Sequence, residues 1–204
     1  MNPCLTFVEM QVQHVQESKP SIMFDLDDAT NDFVETWLNR YNEKYNDTLK
    51  FEDIHTWDIA SCAKKDINRS QFFEVLDEPG FYSTVTPHKD AVRVIEWLTQ
   101  YFDVFIVTAS SHSHIPEKIE WIKKHFPFIK ECNIWPMNQK WRLNIDYLVD
   151  DGLHNHVGFK GQSIVFNRPW NMNQLLPLAF IRVNNYLDIE NYFKSFINSH
   201  EQGE

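Results

Sequence analysis

Short apolar runs alternate with longer amphipathic stretches along this chain. Residues 21–24, "SIMF", form an apolar run that is typical of a strand buried in a parallel sheet. The same pattern predicts five further strands, at "VFIVTAS" (104–110), "NIWPM" (133–137), "DYLVDD" (146–151), "QSIVF" (162–166) and "LAFIRV" (178–183). Alternation of apolar and polar residues over 8–12 also predicts an edge strand near the start of the chain.

Helical periodicity separates these strands. Aromatic residues recur every four positions from Asn31 onward, which is the spacing of one helical face; they are Phe33, Trp37, Tyr41 and Tyr45. A second helix is predicted after Thr86 as its N-cap, with Pro87 in the first turn. Residues 115–126 and 188–197 give two more helices. Strands that alternate with helices predict an α/β fold with a doubly wound parallel sheet, which binds ligands at the carboxyl ends of its strands.

The first two core strands are too far apart for a simple connection. Asp25 and Thr108 are separated by 83 residues, whereas a crossover needs only about 10–15. Residues 46–85 carry no strand pattern. We therefore expect a small helical cap at 31–85, inserted after the first core strand, and an α/β core formed by residues 1–30 and 86–204.

The overall composition limits the classes of function. With 204 residues, 43% of them hydrophobic, the chain is long enough for one sizeable core. A formal net charge of −10 opposes binding to a nucleic acid polymer. No run approaches the roughly 20 apolar residues that span a bilayer, and residues 1–20 lack the core of a signal peptide. We expect a cytoplasmic protein with no membrane partner; the sequence does not determine its oligomeric state, and a homodimer is one option.

Carboxylates and hydroxyls follow three of the predicted strands, at the point where each strand ends. They are Asp25, Asp27, Thr108, Asp150 and Asp151. Because the carboxyl ends of parallel strands meet at one edge of a sheet, we expect these side chains to share a cleft. Each pair of like charges about 4 Å apart costs roughly 4 kcal/mol at an effective dielectric constant near 20. A hard divalent cation relieves this repulsion, and Mg²⁺ is the ion that suits a site of carboxylates and a phosphate oxygen.

Cysteine and histidine form no recognisable metal or redox motif. The three cysteines are odd in number and far apart, which predicts buried, reduced thiols; they are Cys4, Cys62 and Cys132. The pairs His112/His114 and His154/His156 follow strand ends and raise the alternative of zinc. No third and fourth ligand occur at a recognisable spacing, so the oxygen-rich site is favoured.

Four motifs now point to a known superfamily. "DLDDA" after the first strand, "VTAS" at the end of the next, Lys140 about ten residues before "VDD", and that "VDD" resemble in order the motifs of the haloacid dehalogenase-like phosphohydrolases. "FDLDDATNDFVETWL", "FNRPWN" (166–171) and the aromatic-rich insertion are similar to the cytosolic type C 5'(3')-deoxyribonucleotidases. The resemblance spans residues 21–171. It implies a Mg²⁺-dependent phosphomonoesterase that dephosphorylates a small molecule, a (deoxy)nucleoside monophosphate, through an aspartyl-phosphate intermediate.

The resemblance also implies catalytic and metal-binding roles. Asp25 corresponds to the nucleophile and Asp27 to the general acid and base. Mg²⁺ is expected to bind Asp25, the carbonyl of Asp27 and Asp151, with Asp150 orienting the waters of the ion. Asp28 stands where many relatives have glycine, and from the residues alone Asp27 and Asp28 could instead cap the helix that follows.

The expected substrate contacts complete the site. Thr108, the backbone N–H of Ala109 and Lys140 would hold phosphate oxygens, although the neighbouring Arg142 is an alternative to the lysine. Phe33 matches a family position that faces the nucleoside. The insertion adds aromatic residues that could stack on a base; they are Trp57, Phe72, Phe73, Phe81 and Tyr82. Two alternative functions stay open: a phosphatase of another small monoester such as a sugar phosphate, and a catalytically silent binding module with this fold.

Overall fold

A six-stranded parallel sheet forms the centre of the molecule in a computed structural model that describes residues 19–201. Its strands are β1 (Ser21–Asp25), β2 (Asp103–Thr108), β3 (Ile134–Pro136), β4 (Tyr147–Asp150), β5 (Gln162–Phe166) and β6 (Ile181–Val183). They lie in the order β3-β2-β1-β4-β5-β6, and every neighbouring pair is parallel. The predicted α/β fold is confirmed. The edge strand predicted at 8–12 lies outside the described residues.

In the described part of the chain, six α-helices accompany the sheet. They are α1 (Phe33–Tyr45), α2 (Arg69–Phe73), α3 (Ala91–Leu98), α4 (Ile115–His125), α5 (Leu153–His156) and α6 (Tyr186–Glu201). Helix α1 buries Val34, Trp37, Leu38 and Tyr41, the three- and four-residue spacing that one apolar face requires. No helix in the described range is long and apolar enough to cross a membrane.

The start of α3 differs from the prediction. The helix begins at Ala91, with Asp90 rather than Thr86 at the N-cap position. Thr86 instead donates its backbone N–H and its hydroxyl to the carboxylate of Asp32, at 2.7 and 2.6 Å. Pro87 forms a β-bridge with Asn31. This segment therefore ties the returning chain to the start of α1, which a local capping pattern does not reveal.

Alternate side chains of β1 pack in two different hydrophobic clusters. Ile22 and Phe24 belong to the larger one, which contains side chains from α1, α3, α4 and α6. Met23 points the other way and packs with Val107 and Leu148. Each fully buried side chain of this size contributes about 1.5–3 kcal/mol, so β1 is held firmly from both faces.

The insertion between α1 and α3 is built from short helical turns. Within it the structure contains no strand, only α2 and the 3₁₀ turns Phe51–Asp53, Ile59–Cys62, Glu74–Asp77 and Phe81–Thr84. Trp121 of α4 donates its indole N–H to the carbonyl of Val85 at 2.8 Å, which joins the end of the insertion to the core. The division into a cap at 31–85 and a core at 1–30 and 86–204 stays a prediction.

The prediction of buried cysteines is wrong for the two that the structure describes. Cys62 is half-buried at the end of a 3₁₀ turn, and Cys132 is exposed in another; both are free thiols. Cys4 lies outside the described residues. The prediction rested on the fact that free cysteines are usually buried. It did not take into account that these two cysteines lie in surface turns.

Candidate active site

The strand order reverses between β1 and β4, and the predicted site lies at that point. From β1 the chain builds outward to β2 and β3, whereas β4 leads to β5 and β6 on the other side. Phe24 pairs with Val149, so Asp25 at the end of β1 and Asp150 at the end of β4 are at matching heights. Parallel α/β sheets place their ligand crevice at such a reversal.

Three carboxylates meet there. Asp25, Asp150 and Asp151 each present an oxygen, and these oxygens lie within 4.8 Å of one another. Asp150 and Asp151 are buried, and the Asp25 side chain is only 13% exposed. Among the residues that the structure describes, no histidine or cysteine joins this group. The donor set is therefore all oxygen, which fits a hard divalent cation rather than zinc.

Lys140 lies between two of these carboxylates. Its Nζ is 2.5 Å from Asp25 Oδ1 and 2.6 Å from Asp150 Oδ2, and its side chain is fully buried. Burial opposes the charged form, but Asp150 and Asp25 outweigh it and raise the pKa of Lys140 above its ordinary value. Arg142, the alternative cation, lies over the ring of Trp141 outside this cluster. The buried lysine is thus a fixed positive charge beside Asp25.

One lysine does not balance three buried carboxylates. Burial, opposed by Lys140, raises the pKa of Asp25 to about 7. Burial and the charge of Asp150 raise the pKa of Asp151 well above its usual range. Asp150 is the exception, because Lys140 and other partners overcome the effect of burial and lower its pKa. The remaining excess of negative charge is what a bound cation would neutralise.

Asp27 is held apart from the three-carboxylate group. Its Oδ1 accepts a hydrogen bond from the Tyr82 hydroxyl at 2.5 Å, and its Oδ2 is 2.5 Å from Lys118 Nζ. Lys118 also donates to Thr108 Oγ1 at 3.1 Å. The carbonyl of Asp27 accepts the N–H of Ala29 at 2.7 Å. The two predicted catalytic aspartates therefore occupy different environments, one beside Lys140 and the other beside Lys118.

Lys118 is a site residue that the sequence reasoning missed. It is 3% exposed and lies on the buried face of α4 with Trp121 and Ile122. The signal was present, because a lysine on an otherwise apolar helical face needs a buried partner. That partner, Asp27, is 91 residues away in sequence.

Asp28 binds the first turn of α1 through its side chain, although the N-cap position itself is held by Asp32. Asp28 Oδ1 accepts the backbone N–H of Val34 at 3.0 Å, as the capping alternative proposed. Its φ of 58° lies in the left-handed region, which aspartate tolerates better than most residues and glycine adopts freely. Its carbonyl accepts a hydrogen bond from Arg168 Nε at 2.7 Å. Asp28 thus adopts the left-handed conformation that glycine, the residue of many relatives at this position, adopts freely.

The two aspartates after β4 have different partners. Asp150 Oδ1 accepts hydrogen bonds from the Gly152 N–H at 2.7 Å and from Asn155 Nδ2 at 3.0 Å. Asp151 Oδ2 accepts the indole N–H of Trp170 at 2.9 Å. Neither Asn155 nor Trp170 was identified as a site residue from the sequence, although Trp170 belongs to the "FNRPWN" segment that carried the family resemblance.

Two adjoining cavities open beside Asp25 and Asp27. The first, about 200 Å³, lies against Asp25, Lys140 and Asp151. The second, about 340 Å³, lies against Lys118. Asp27, Phe33 and Ala109 line both cavities. Phe33 therefore stands at the junction of the two spaces, next to the predicted general acid.

Not all of the predicted aromatic contacts face these cavities. Trp57 lines the first cavity, and Phe81 and Tyr82 line the second. Phe72 and Phe73 instead pack on Trp37, with ring centroids 4.6 and 5.0 Å away, and line neither cavity. The expectation that these two phenylalanines contact substrate is therefore wrong, because both pack against the ring of Trp37 inside the insertion.

Three of the four histidines in the two pairs contact other groups of the protein. His156 Nε2 lies 3.1 Å from the carbonyl of Asp150, and His114 Nε2 lies 2.9 Å from Asp77 Oδ1. His154 packs edge-on against Trp57 with ring centroids 4.7 Å apart. In the described part of the chain no cluster of histidine ligands is present, so the zinc alternative has no site.

Sequence comparison places the chain in a family. The model of the family described as "5' nucleotidase, deoxy (Pyrimidine), cytosolic type C protein" matches residues 19–196. The chain belongs to this family. A 5'(3')-deoxyribonucleotidase of Clostridium acetobutylicum is 34% identical over 157 residues, which are 77% of this chain and 87% of that protein. A 5'(3')-deoxyribonucleotidase of Bacillus subtilis is 31% identical over 174 residues, 84% of this chain and 97% of its own length.

Solved structures agree with the fold. The HAD-hydrolase YfnB from Bacillus subtilis, determined with bound magnesium, superposes with a TM-score of 0.56 at 16% sequence identity. The match covers 86% of this chain and 99% of the YfnB chain. The haloacid dehalogenase-like protein SP0104 from Streptococcus pneumoniae has a TM-score of 0.60 at 13% identity, covering 86% and 98%. The family and its relatives make the chain a nucleotide phosphomonoesterase. Its fold is that of the haloacid dehalogenase-like hydrolases.

Proposed function

We propose that the chain is a Mg²⁺-dependent 5'(3')-deoxyribonucleotidase that works through a phosphoaspartyl intermediate on Asp25. The observation that carries the proposal is the arrangement of Asp25. It has the fully buried Lys140 on one oxygen, and it lines a cavity together with Asp27, two residues away. The names of the family and of its deoxyribonucleotidase relatives support the substrate class. A cytoplasmic location and a homodimer remain predictions.

The carboxylate group fits the expected cation. Asp25, the carbonyl of Asp27 and Asp151 would hold Mg²⁺, and Asp150, fixed by Lys140 and its other partners, would orient its waters. When bound, the ion offsets negative charge on the carboxylates and on the phosphoryl oxygens. Bound magnesium in the solved HAD-hydrolase YfnB supports this choice of metal.

The first step would transfer the phosphoryl group to the protein. Lys140 contacts Asp25 Oδ1, and among the described residues no hydrogen bond donor contacts Oδ2, which leaves that oxygen to attack phosphorus. As the bond to the leaving oxygen breaks, the protonated carboxyl group of Asp27 gives its proton to that oxygen. Lys140, Thr108 and the backbone N–H of Ala109 would hold the phosphoryl oxygens during transfer.

The second step would release phosphate. Asp27, now a carboxylate, takes a proton from a water molecule whose oxygen attacks the phosphorus of the acylphosphate. The bond between phosphorus and the Asp25 oxygen breaks, so phosphate leaves and the Asp25 carboxylate is restored. Tyr82 and Lys118 each contact one Asp27 oxygen, which holds the Asp27 side chain in one position for both proton transfers.

The leaving group would occupy the aromatic space around Phe33. This ring lies between the two cavities and contacts Phe81 and Tyr82, with centroids 5.8 and 6.0 Å away. Flat apolar rings stack on a nucleobase, whereas a sugar phosphate needs more hydrogen-bonding groups. We therefore expect deoxyribonucleoside monophosphates to be hydrolysed better than sugar phosphates, with activity lost in EDTA and restored by Mg²⁺.

Replacing Phe33 with alanine should weaken hydrolysis of nucleotides selectively. Base stacking contributes about 1–3 kcal/mol, so kcat/KM for a deoxyribonucleotide should fall about 5- to 150-fold. Nitrophenyl phosphate, which has no nucleobase, should be much less affected. Kinetics with both substrates measure the selectivity directly.

Phe73→Ala is the matched control for this experiment, because Phe73 belongs to the same aromatic region but lines neither cavity. It should reduce stability without changing the ratio of the two activities. A preference for sugar phosphates with nucleotides inert would contradict the nucleotidase and favour the alternative phosphatase. No turnover of any monoester in Mg²⁺ would favour the silent binding module.

Replacing Lys118 with methionine should impair protonation of the leaving group. The change removes the ammonium that fixes Asp27 Oδ2 at 2.5 Å while keeping the length of the buried side chain. General acids contribute about 10²–10⁴-fold, so misplacing this one should slow nucleotide turnover about 10- to 100-fold. Nitrophenyl phosphate should be spared, because nitrophenolate leaves without help.

Lys123→Met provides the control on the same helix. Lys123 is half-exposed and pairs with Glu131 away from the site, so its loss should leave both activities unchanged. Equal losses with both substrates in Lys118→Met would show that Lys118 binds phosphate instead of positioning Asp27.

A further inference from the structure

We infer that Trp170 is a positioning residue for the metal, because its indole N–H fixes the carboxylate of Asp151 in the orientation that binds the cation. The inference rests on the metal site of the proposed function. It adds to that site a side chain that no motif of the sequence assigned to it. The contacts of Asp151, of the loop that carries Trp170 and of the indole ring support it in turn.

Asp151 differs from the other two carboxylates in the donor that contacts it. Asp25 and Asp150 share the ammonium of Lys140. In the described part of the chain, the only hydrogen bond to the Asp151 carboxylate comes from Trp170 Nε1, at 2.9 Å to Oδ2. Both residues are buried, at 3% and 4% exposure. A buried carboxylate needs donors, and here a single neutral donor leaves its full charge available to a cation.

The next residue along the loop holds the backbone of the same aspartate. Asn171 Nδ2 donates to the carbonyl of Asp151 at 2.8 Å and to the carbonyl of Phe166 at 2.9 Å. Asn171 is itself buried. Consecutive residues after β5 therefore hold both the main chain and the side chain of Asp151, which places the loop itself in a supporting role for the metal ligand.

The indole is in turn held from the side of the insertion. Phe51 and Trp57 pack nearly edge-on against the ring of Trp170, with centroids 5.6 and 6.5 Å away. An indole offers one N–H in the plane of its ring and no acceptor, so whatever sets the ring plane also sets the direction of the hydrogen bond. The aromatic packing thus fixes the donor, and the donor fixes one oxygen of Asp151.

Calorimetric titration of Mg²⁺ into the metal-free protein tests this inference without relying on activity. Partners that hold metal ligands typically contribute about 10–100-fold to affinity, so Trp170→Phe should bind Mg²⁺ weaker by about that factor. The phenyl ring keeps most of the packing and removes only the donor. Trp135→Phe is the matched control: it loses the same N–H, but that donor serves the carbonyl of Cys132 at 2.7 Å and no carboxylate. It should bind Mg²⁺ like the wild type.

A second measurement uses the unmutated side chain. In protein labelled with ¹⁵N, the indole resonance of Trp170 should shift when Mg²⁺ saturates the site, and the shift should disappear in Asp151→Asn. Wild-type affinity in a folded Trp170→Phe, or an indole resonance that stays in place at saturation, would overturn the inference. If Trp170→Phe does not fold, the resonance decides alone. A wild type that binds no Mg²⁺ refutes the metal site, and with it this inference.

Discussion

Replacing Asp25 with asparagine should abolish turnover, with kcat falling by at least about 10⁴-fold. Asparagine has nearly the same shape, but its amide oxygen cannot form the acylphosphate on which both proposed steps depend. The wild-type oxygen is also prepared for attack: Asp25 ends a buried strand, and Lys140 holds its other oxygen at 2.5 Å. Single-turnover kinetics with a deoxyribonucleoside monophosphate give the measurement.

Two controls separate loss of the nucleophile from loss of structure. Asp103→Asn makes the same chemical change at the exposed opposite end of β2 and should leave turnover unchanged. Beryllium fluoride, which mimics an acylphosphate, should give a ¹⁹F NMR signal of the trapped complex in the wild type and none in Asp25→Asn. Near-normal turnover by a folded Asp25→Asn would show that another group attacks phosphorus.

Asp27→Asn should behave differently from Asp25→Asn, since its role is proton transfer. Its effect should be large for a nucleotide, whose leaving alkoxide needs a proton, and smaller for nitrophenyl phosphate. The structure gives the two aspartates distinct surroundings, with Lys140 beside one and both Tyr82 and Lys118 beside the other. Distinct kinetic profiles are therefore the expected consequence of distinct contacts.

The convergence of the aspartates was predictable from the sequence because it follows from the sheet alone. Apolar runs identify β1 and β4, parallel strands end at one edge, and so Asp25 and Asp150 must approach each other once the strands are neighbours. The same reasoning places Thr108 at the end of β2, next to β1. These positions depend on local pattern and on one general rule of topology, which is why they required no knowledge of the packing.

The residues that hold the aspartates were not predictable in this way. Tyr82 and Lys118 reach Asp27 from 55 and 91 residues away, and Trp170 reaches Asp151 from a loop after β5. Each contact depends on how the insertion and the loops pack against the sheet. The pattern of hydrophobic and polar residues specifies which face of α4 is buried, but not which side chain of another segment lies against it.

Lys140→Met should reduce activity about 10²–10³-fold, the effect of removing one fixed donor to a developing charge. It should also lower stability. The ammonium is fully buried between Asp25 and Asp150, at 2.5 and 2.6 Å, and breaking a buried ion pair by removing one partner typically costs about 3–5 kcal/mol. Methionine keeps the volume of the side chain, so the loss would come from the charge. Thermal unfolding in EDTA and kinetics in Mg²⁺ measure the two effects separately.

Arg142→Met is the natural comparison, because Arg142 is the other cation of the same short turn and lies over Trp141 instead of the carboxylates. It should change neither kcat nor the unfolding temperature. If Arg142→Met lost activity and Lys140→Met kept it, the cation that stabilises the transferring phosphoryl group would be the arginine. If Lys140→Met lost stability but not activity, the lysine would serve only to keep two buried carboxylates together, and the stabilising charge during transfer would have to come from the metal ion.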